Sequence, residues 1–203
     1  MNFFKRKYYK SYIGLLKFFG ASDEQISIYH YLLKNGIKPD LKNPKEFMEK
    51  ILWLKLYYYK ESYGKLVDKY EVRSYVENKI GKEYLNEFFG VYDSGDSIDF
   101  NGLPNQFVLK GTHGSGYNCI VKDKSKVNKN KLKHKLASFL KANYFNENRE
   151  YIYKNVAPRL LVEEYISEFD SSQLIDYKFY TVHGVPKYVL VKVTENGKDK
   201  KCF

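Results

Sequence analysis

Residues 107–121 read Phe-Val-Leu-Lys-Gly-Thr-His-Gly-Ser-Gly-Tyr-Asn-Cys-Ile-Val. Two apolar runs enclose a loop with three glycines, so the stretch predicts a strand, a loop and a second strand. Glycine lets backbone N–H groups turn toward an anion, and Lys110 at the strand end supplies a positive charge for a phosphate. The P-loop and the Gly-x-Gly-x-x-Gly loop both lead into a helix, so this stretch is neither. From these residues alone, an ordinary glycine-rich hairpin and a triphosphate-binding loop are equally good explanations.

The segments on either side of this loop mix helix and strand. Apolar residues recur at helical spacing between 132 and 144, and residues 159–166 form an apolar strand candidate. Residues 177–182 and 187–194 alternate around a short turn and predict a hairpin. Turn formers crowd residues 93–104, which mark a connection. We therefore predict an α+β fold with a strand-loop-strand-helix-strand lobe.

The first 60 residues are predicted to be helical. From Phe3 to Phe19, aromatic and aliphatic residues recur near the helical period beside several lysines. We expect this helix to cover the core, with contact to a membrane surface as the alternative. Another helix is predicted to begin at an Asn43 N-cap, with Pro44 in its first turn. Its apolar face, which we expect to pack into the core, comprises Phe47, Ile51, Leu54 and Tyr58.

Composition narrows the class of protein. The chain has 203 residues, of which 43% are hydrophobic and 29% charged, so it can bury a sizeable core and is not disordered. Its most apolar early stretch is interrupted by Gly14 and Lys17, which argues against a membrane-spanning helix. Cys119 and Cys202 form neither a disulfide framework nor a paired-thiol metal motif, which favours the cytoplasm.

The formal net charge of +11 raises the question of a nucleic-acid partner. Of the 35 basic residues, all are lysine except Arg6, Arg73, Arg149 and Arg159. Bidentate recognition of bases and phosphates prefers the planar guanidinium group, so we predict no specific nucleic-acid partner. Weaker attraction to acidic polymers or to the inner face of the membrane is the alternative.

Two further segments carry charges in patterns that suit a nucleotide. Lys69 and Arg73 are four residues apart and are predicted to share one face of a helix, with an ordinary solvated face as the alternative. Glu163 and Glu164 end an apolar strand, where a buried carboxylate needs a partner such as an adenine amino group, a ribose hydroxyl or a lysine. Side chains alternate along a strand, so we expect only one of the two to face the site.

Several ordered motifs lie between about Asn43 and Val193. They include Asn-Pro-Lys-Glu-Phe at 43–47, Trp-Leu-Lys-Leu at 53–56, Lys-Leu-Val-Asp-Lys-Tyr at 65–70, Phe-Val-Leu-Lys at 107–110, His-Gly-Ser-Gly at 113–116, Tyr-Lys-Asn at 153–155 and Asp-Tyr-Lys-Phe at 176–179. In these motifs and their order the sequence resembles the TupA-like ATP-grasp family of bacterial surface-polysaccharide biosynthesis.

The resemblance implies an ATP-grasp-like fold that binds ATP, activates a carboxylate as an acyl phosphate and joins it to an amine. It implies that lysines hold the phosphates, that the glycine loop covers the triphosphate, and that the paired glutamates lie near adenine and ribose. The residues implied to bind the nucleotide are Lys69, Arg73, Lys110, His113, Gly114, Ser115, Gly116, Glu163, Glu164, Asp176 and Lys178. We further expect Lys110→Ala to weaken ATP binding without loss of stability, because a phosphate-facing lysine has no other partner. For His113, hydrogen bonding is expected rather than general-base catalysis, and no catalytic residue is assigned.

The resemblance also implies a domain plan and cofactors. The predicted parts are a helical region at 1–62, a helical and linker part of the first lobe at 63–104, the flap lobe at 105–166, and the start of a C-terminal lobe at 167–203. ATP and Mg²⁺ are the implied cofactors, and the implied partners are a nucleotide and a carboxylate or glycan-linked acceptor. ATP-grasp enzymes hold magnesium on late strands, whereas Glu195 and Asp199 are expected in a turn-like tail. We therefore expect an incomplete C-terminal lobe whose magnesium ligands are missing from this chain, with no protein-only metal site.

Two other functions are compatible with the sequence. A glycosyltransferase-type role in the same pathway would require a nucleotide sugar, and the absence of an Asp-x-Asp motif argues against it. A non-enzymatic basic binding module for nucleic acid or acidic glycan would show affinity that falls steeply with salt.

Overall fold

The computed structural model describes residues 3–166, 174–195 and 198–202. The chain divides into two compact units, Met1–Glu164 and Tyr165–Phe203, which are described one at a time below. The helices are α1 Phe3–Phe18, α2 Asp23–Asn35, α3 Phe47–Tyr57, α4 Gly64–Val67, α5 Glu71–Ile80, α6 Lys129–Lys141 and α7 Tyr144–Asn148. The strands are β1 Phe88–Tyr92, β2 Phe107–Gly111, β3 Asn118–Val121, β4 Leu160–Glu164, β5 Leu174–Val182, β6 Val185–Glu195 and β7 Lys198–Cys202. Helices combined with antiparallel sheets agree with the predicted α+β class.

The first unit is built on a four-stranded antiparallel sheet in the order β1-β4-β2-β3. One face of this sheet packs against α6 and forms the main core. The residues of this core are Ile98, Phe100, Leu103, Phe107, Leu109, Val121, Leu132, Leu136, Phe139, Leu160 and Val162. Because side chains alternate along strands, the neighbours of these core residues in β2 and β4 lie on the opposite face of the sheet. Lys110 and Glu163 are among those neighbours.

The start of α3 differs from the prediction. The helix begins at Phe47 with Glu46 as its N-cap residue, three residues after the predicted Asn43. The Asp40 carboxylate accepts hydrogen bonds from the backbone N–H groups of Lys42 (3.0 Å) and Asn43 (3.1 Å), which holds this segment in a turn. The prediction of an N-cap at Asn43 is therefore wrong.

The apolar face predicted for α3 is not a core face. Phe47 is 71% exposed, and Ile51, Leu54 and Tyr58 are exposed as well. The buried residues of this helix are Leu52 and Glu49. The Glu49 carboxylate is buried because it accepts the backbone N–H groups of residues 40, 45 and 46 at 3.0–3.1 Å. A carboxylate that caps three amides thus anchors the helix where an apolar contact was expected.

The second unit is a three-stranded antiparallel sheet in the order β5-β6-β7. The predicted hairpin is confirmed: β5 and β6 pair across a two-residue turn at His183 (φ 49°) and Gly184 (φ 79°). Two successive positive φ angles are typical of the turn that matches the twist of a hairpin. The turn-like tail expected after 195 is wrong, because residues 198–202 form β7 and pair with 191–195. None of the described helices has the length and apolarity of a membrane span.

Candidate functional site

Lys69 lies in the turn between α4 and α5, at the base of the glycine loop. Its backbone N–H donates to the carbonyl of Thr112 at 3.2 Å. Its ammonium group donates to the carbonyl of Gly111 at 2.9 Å and also to the carbonyl of Gly114. Burial, and then the nearby Lys110, lower the pKa of Lys69, while Asp68 and Glu163 act in the opposite direction. One lysine therefore joins the α4–α5 turn to two carbonyls of the loop.

A buried carboxylate holds this turn in place. Asp68 is 2% exposed, and its Oδ1 accepts the backbone N–H groups of Tyr70 (2.7 Å) and Glu71 (3.1 Å). Its Oδ2 accepts a hydrogen bond from Arg159 Nη2 at 3.0 Å, and the same nitrogen donates to Glu71 Oε1 at 2.9 Å. The sequence reasoning gave no role to Asp68 or Arg159 at the site. An Asp just before a helical stretch is a helix-start signal, and this signal in the sequence points to Asp68.

Lys110 and Glu163 form an ion pair on the sheet face opposite the main core. The register pairs Val108 with Glu163 and Lys110 with Leu161, which places both charged residues on the same face. The Glu163 side chain is 8% exposed and that of Lys110 31%. Glu164 has the opposite orientation in β4 and is exposed, and its carboxylate accepts the backbone N–H of Glu87 at 3.4 Å. Glu163 is therefore the glutamate that shares a face with Lys110.

The glycine loop closes as a hairpin with a buried side and an open side. The N–H of Gly111 donates to the carbonyl of Tyr117 at 2.8 Å. Gly114 is buried, and a Cβ there would lie 2.6 Å from Cε2 of Tyr117, so this position requires glycine. Ser115 and Gly116 are exposed, and Gly116 has a φ of 83°. Within the part of the chain that the structure describes, the N–H groups of residues 115–117 donate to no main-chain carbonyl. Free amides beside lysines are the usual donors for an anion.

The lysines, the glycine loop and Glu163 all lie in the part of the sequence that matches a protein-family model. The model of the family described as TupA-like ATPgrasp matches residues 49–203. This chain belongs to the TupA-like ATPgrasp family. Searches of the curated proteins and of the solved structures each found no significant match. The matched region of this TupA-like ATPgrasp protein contains Lys69, Lys110, the glycine loop and Glu163, whereas α1 and α2 precede it.

In this TupA-like ATPgrasp chain, His113 is a buried ring beneath the loop. It is 3% exposed, its Nε2 lies 3.0 Å from the carbonyl oxygen of Phe139, and its ring packs on that of Tyr117. Burial lowers its pKa, although the backbone contacts to Phe139 and Ala142 act in the opposite direction. A neutral buried imidazole that hydrogen-bonds to α6 fits the expected hydrogen-bonding role rather than general-base catalysis.

Arg73 does not share a helix face with Lys69, so that part of the prediction is wrong. Arg73 lies within α5, whereas Lys69 precedes this helix. The guanidinium group of Arg73 donates to Asn86 Oδ1 at 3.2 Å and to the Asn86 carbonyl at 2.8 Å, and it lies over the ring of Phe88. It lines a cavity of about 760 Å³ whose lining includes neither Lys69 nor Lys110. Arg73 is therefore engaged with the segment that leads into β1.

Asp176 and Lys178 belong to the second unit. Both occur in β5, where Asp176 pairs in register with Lys192 and Lys178 with Leu190. Lys192 Nζ lies 3.9 Å from Asp176 Oδ2. The two residues share one face of the strand because they are two positions apart.

The donor groups at the site are of the kind that binds an anion. Lysine ammonium groups and loop amides are donors for phosphate oxygens. Among the residues that the structure describes, no group of three or more His, Cys, Asp or Glu side chains is arranged to hold a metal ion.

Proposed function

We propose that this protein is an ATP-dependent carboxylate–amine ligase of the ATP-grasp type, acting in the cytoplasm in the synthesis of a bacterial surface polysaccharide. The proposal depends above all on Lys69, which is bonded to two carbonyls of the glycine loop and lies close enough to Lys110 and Glu163 for their charges to shift its pKa. Membership of the TupA-like ATPgrasp family supports it.

The two lysines suit different tasks in binding a triphosphate. An ammonium group has three N–H donors, and Lys69 uses two of them on the carbonyls of Gly111 and Gly114. One donor remains for a phosphate oxygen, and the loop geometry is already set before the nucleotide arrives. Lys110 is held by Glu163 and is partly exposed, so a phosphate oxygen can share its charge. Preorganised donors of this kind need little rearrangement when charge develops during phosphoryl transfer.

The proposed reaction has two steps. A carboxylate oxygen attacks the γ-phosphorus of ATP, the bond to the β–γ bridging oxygen breaks, and ADP leaves. The amine nitrogen then attacks the acyl carbon, the acyl–phosphate bond breaks, and inorganic phosphate leaves with the amine proton passing to solvent. Lys69, Lys110 and the amides of residues 115–117 are proposed to hold the phosphoryl group in line while Glu163 orients Lys110.

Hydroxylamine provides the most direct test of this chemistry, because it converts an acyl phosphate into a stable hydroxamate. The full chain is incubated with Mg²⁺, ATP, hydroxylamine and a panel of carboxylates that includes glutamate and glucuronate. We expect hydroxamate and ADP in equal amounts with at least one carboxylate, and a loss of both in Lys110→Met. Lys131→Met, a matched change on the exposed side of α6, should leave the yield unchanged. ADP without hydroxamate, or no ADP with any member of the panel, would contradict ligase activity.

A further inference from the structure

A separate cavity of about 600 Å³ lies in the first unit, between α2, α3 and residues 150–152. This volume is within the usual range for small-molecule sites. Much of its wall is aromatic, formed by Tyr31, Tyr58, Tyr59, Tyr63 and Tyr151. Neither Lys69, Lys110 nor the glycine loop contributes to its lining, and α2 lies outside the region that the family model matches. The cavity is therefore distinct from the nucleotide site proposed above.

The charges around this cavity favour an anion. Lys34, Lys55 and Glu150 line it, so the cations outnumber the carboxylate. Burial, followed by the positive charges of Lys17, Lys55, Lys34 and Arg149, lowers the pKa of the lining residue His30 to about 4. The imidazole is thus neutral near pH 7 and is surrounded by positive charge. A ligand that carries a negative charge would find favourable electrostatics here, because the cations act through a partly buried environment.

Two buried polar atoms of the lining have no hydrogen-bond partner. Ser27 is 1% exposed, and its Oγ is unpaired in the structure, as is Nε2 of His30. A buried polar atom without a partner costs about 1–3 kcal/mol, so such atoms call for an explanation. A hydroxylated ligand in the cavity supplies one, since a hydroxyl group both donates and accepts hydrogen bonds. A purely apolar ligand would leave both atoms unpaired.

We propose that this cavity binds an acidic monosaccharide, that is, a sugar ring that carries one carboxylate or phosphate group. The lining tyrosines provide aromatic surface for the ring, and tyrosine hydroxyl groups can form hydrogen bonds, although that of Tyr151 is already donated to Asp23. Glu150 accepts from sugar hydroxyls, Ser27 and His30 pair with others, and Lys34 and Lys55 attract the anionic group. The proposal does not depend on ATP binding, because no residue of the nucleotide site takes part.

Calorimetric titration of the full chain with three sugars tests this assignment. Glucuronate and glucose 6-phosphate carry the two anionic groups, and glucose is the neutral reference. We expect at least one acidic sugar to bind at least tenfold more tightly than glucose, and the comparison of the two identifies the preferred anion. Lys34→Met should weaken that binding at least fivefold, whereas Lys131→Met, another exposed helix lysine, should not change it.

Ser27→Ala provides a second variant that is expected to fold normally, because the removed hydroxyl has no partner to lose. It should weaken acidic-sugar binding at least threefold while leaving the thermal midpoint unchanged or higher. Lys110→Met separates the two proposals, since it should weaken ATP binding about 10- to 100-fold and leave sugar binding intact. Absence of binding by both acidic sugars at millimolar concentration would overturn the proposal. The proposal would also be overturned if glucose bound as tightly as the acidic sugars. It would be overturned as well if neither Lys34→Met nor Ser27→Ala changed the affinity for the acidic sugars.

Discussion

We expect the loss of Lys110 to destabilise the first unit, because this lysine is the ion-pair partner of Glu163. Replacing Lys110 with methionine removes the cation but leaves the Glu163 carboxylate, whose side chain is only 8% exposed. Breaking a fully buried ion pair in this way costs about 3–5 kcal/mol. Lys110 is 31% exposed, so water screens the pair and we expect a smaller loss of about 1–3 kcal/mol. The expectation that this lysine has no structural partner is therefore wrong.

A double-mutant cycle measures the effect. Thermal or denaturant unfolding is compared for wild type, Lys110→Met, Glu163→Gln and the double variant. At about 2–4 °C per kcal/mol for a chain of this size, Lys110→Met should lower the midpoint by roughly 2–12 °C. Glu163→Gln should cost less, because the released ammonium group reaches water. The double variant should recover most of the loss, since no buried charge remains unpaired.

Two outcomes would contradict an ion pair between Lys110 and Glu163 that stabilises the fold. An unchanged midpoint in Lys110→Met would mean that the carboxylate is not held by the lysine. A double variant no more stable than Lys110→Met would mean that the loss comes from packing and not from an uncompensated charge.

Three further predictions concern the stability of the first unit. Arg159→Met removes a hydrogen-bond donor from the buried Asp68 carboxylate and should lower the free energy of unfolding in urea by about 1–3 kcal/mol. An unchanged urea midpoint would contradict this contact. Gly114→Ala places a Cβ 2.6 Å from an aromatic carbon and should lower the free energy of unfolding by about 1–3 kcal/mol. Gly102→Ala is the control and should be nearly neutral, because the nearest atom to its Cβ is at 3.6 Å. Equal thermal midpoints for the two variants would count against the loop packing. His30 has a pKa of about 4 in the folded state against an ordinary 6.5, so the unfolded chain binds more protons between these values and stability should fall as pH drops from 6.5 toward 4. The slope should reach up to about 1.4 kcal/mol per pH unit and should be smaller in His30→Gln; identical pH profiles would refute it.

Local patterns carried enough information to predict the central elements. Glycine spacing and apolar runs depend on adjacent residues alone, so they predict strands at 106–110 and 119–121 around a glycine loop, each within one residue of β2 and β3 as observed. The same holds for α6, whose apolar residues keep the helical period, and for the β5–β6 hairpin around its two-residue turn.

Features that depend on distant partners were missed. The Lys110–Glu163 pair requires the register of β2 on β4, which no local pattern specifies. The four-residue spacing from Arg73 predicts that Lys69 is helical, but the Asp68 carboxylate accepts the backbone N–H groups of Tyr70 and Glu71, and α5 begins only at Glu71. Likewise, the cavity beside α3 forms only because residues 150–152 pack near α2 and α3, an arrangement of distant segments that no local pattern specifies.

Calorimetric titration with ATP in the presence of Mg²⁺ measures nucleotide binding by the lysines and the glycine loop. We expect saturable binding of one ATP per chain, with UDP-glucose at least tenfold weaker. Lys69→Met and Lys110→Met should each lower the affinity about 10- to 100-fold, because a hydrogen bond to a charged group contributes about 1.5–3 kcal/mol. The Lys131→Met control should bind as the wild type does. If the wild type did not bind ATP, or if both lysine variants bound ATP as tightly as the wild type, these residues would not form a nucleotide site.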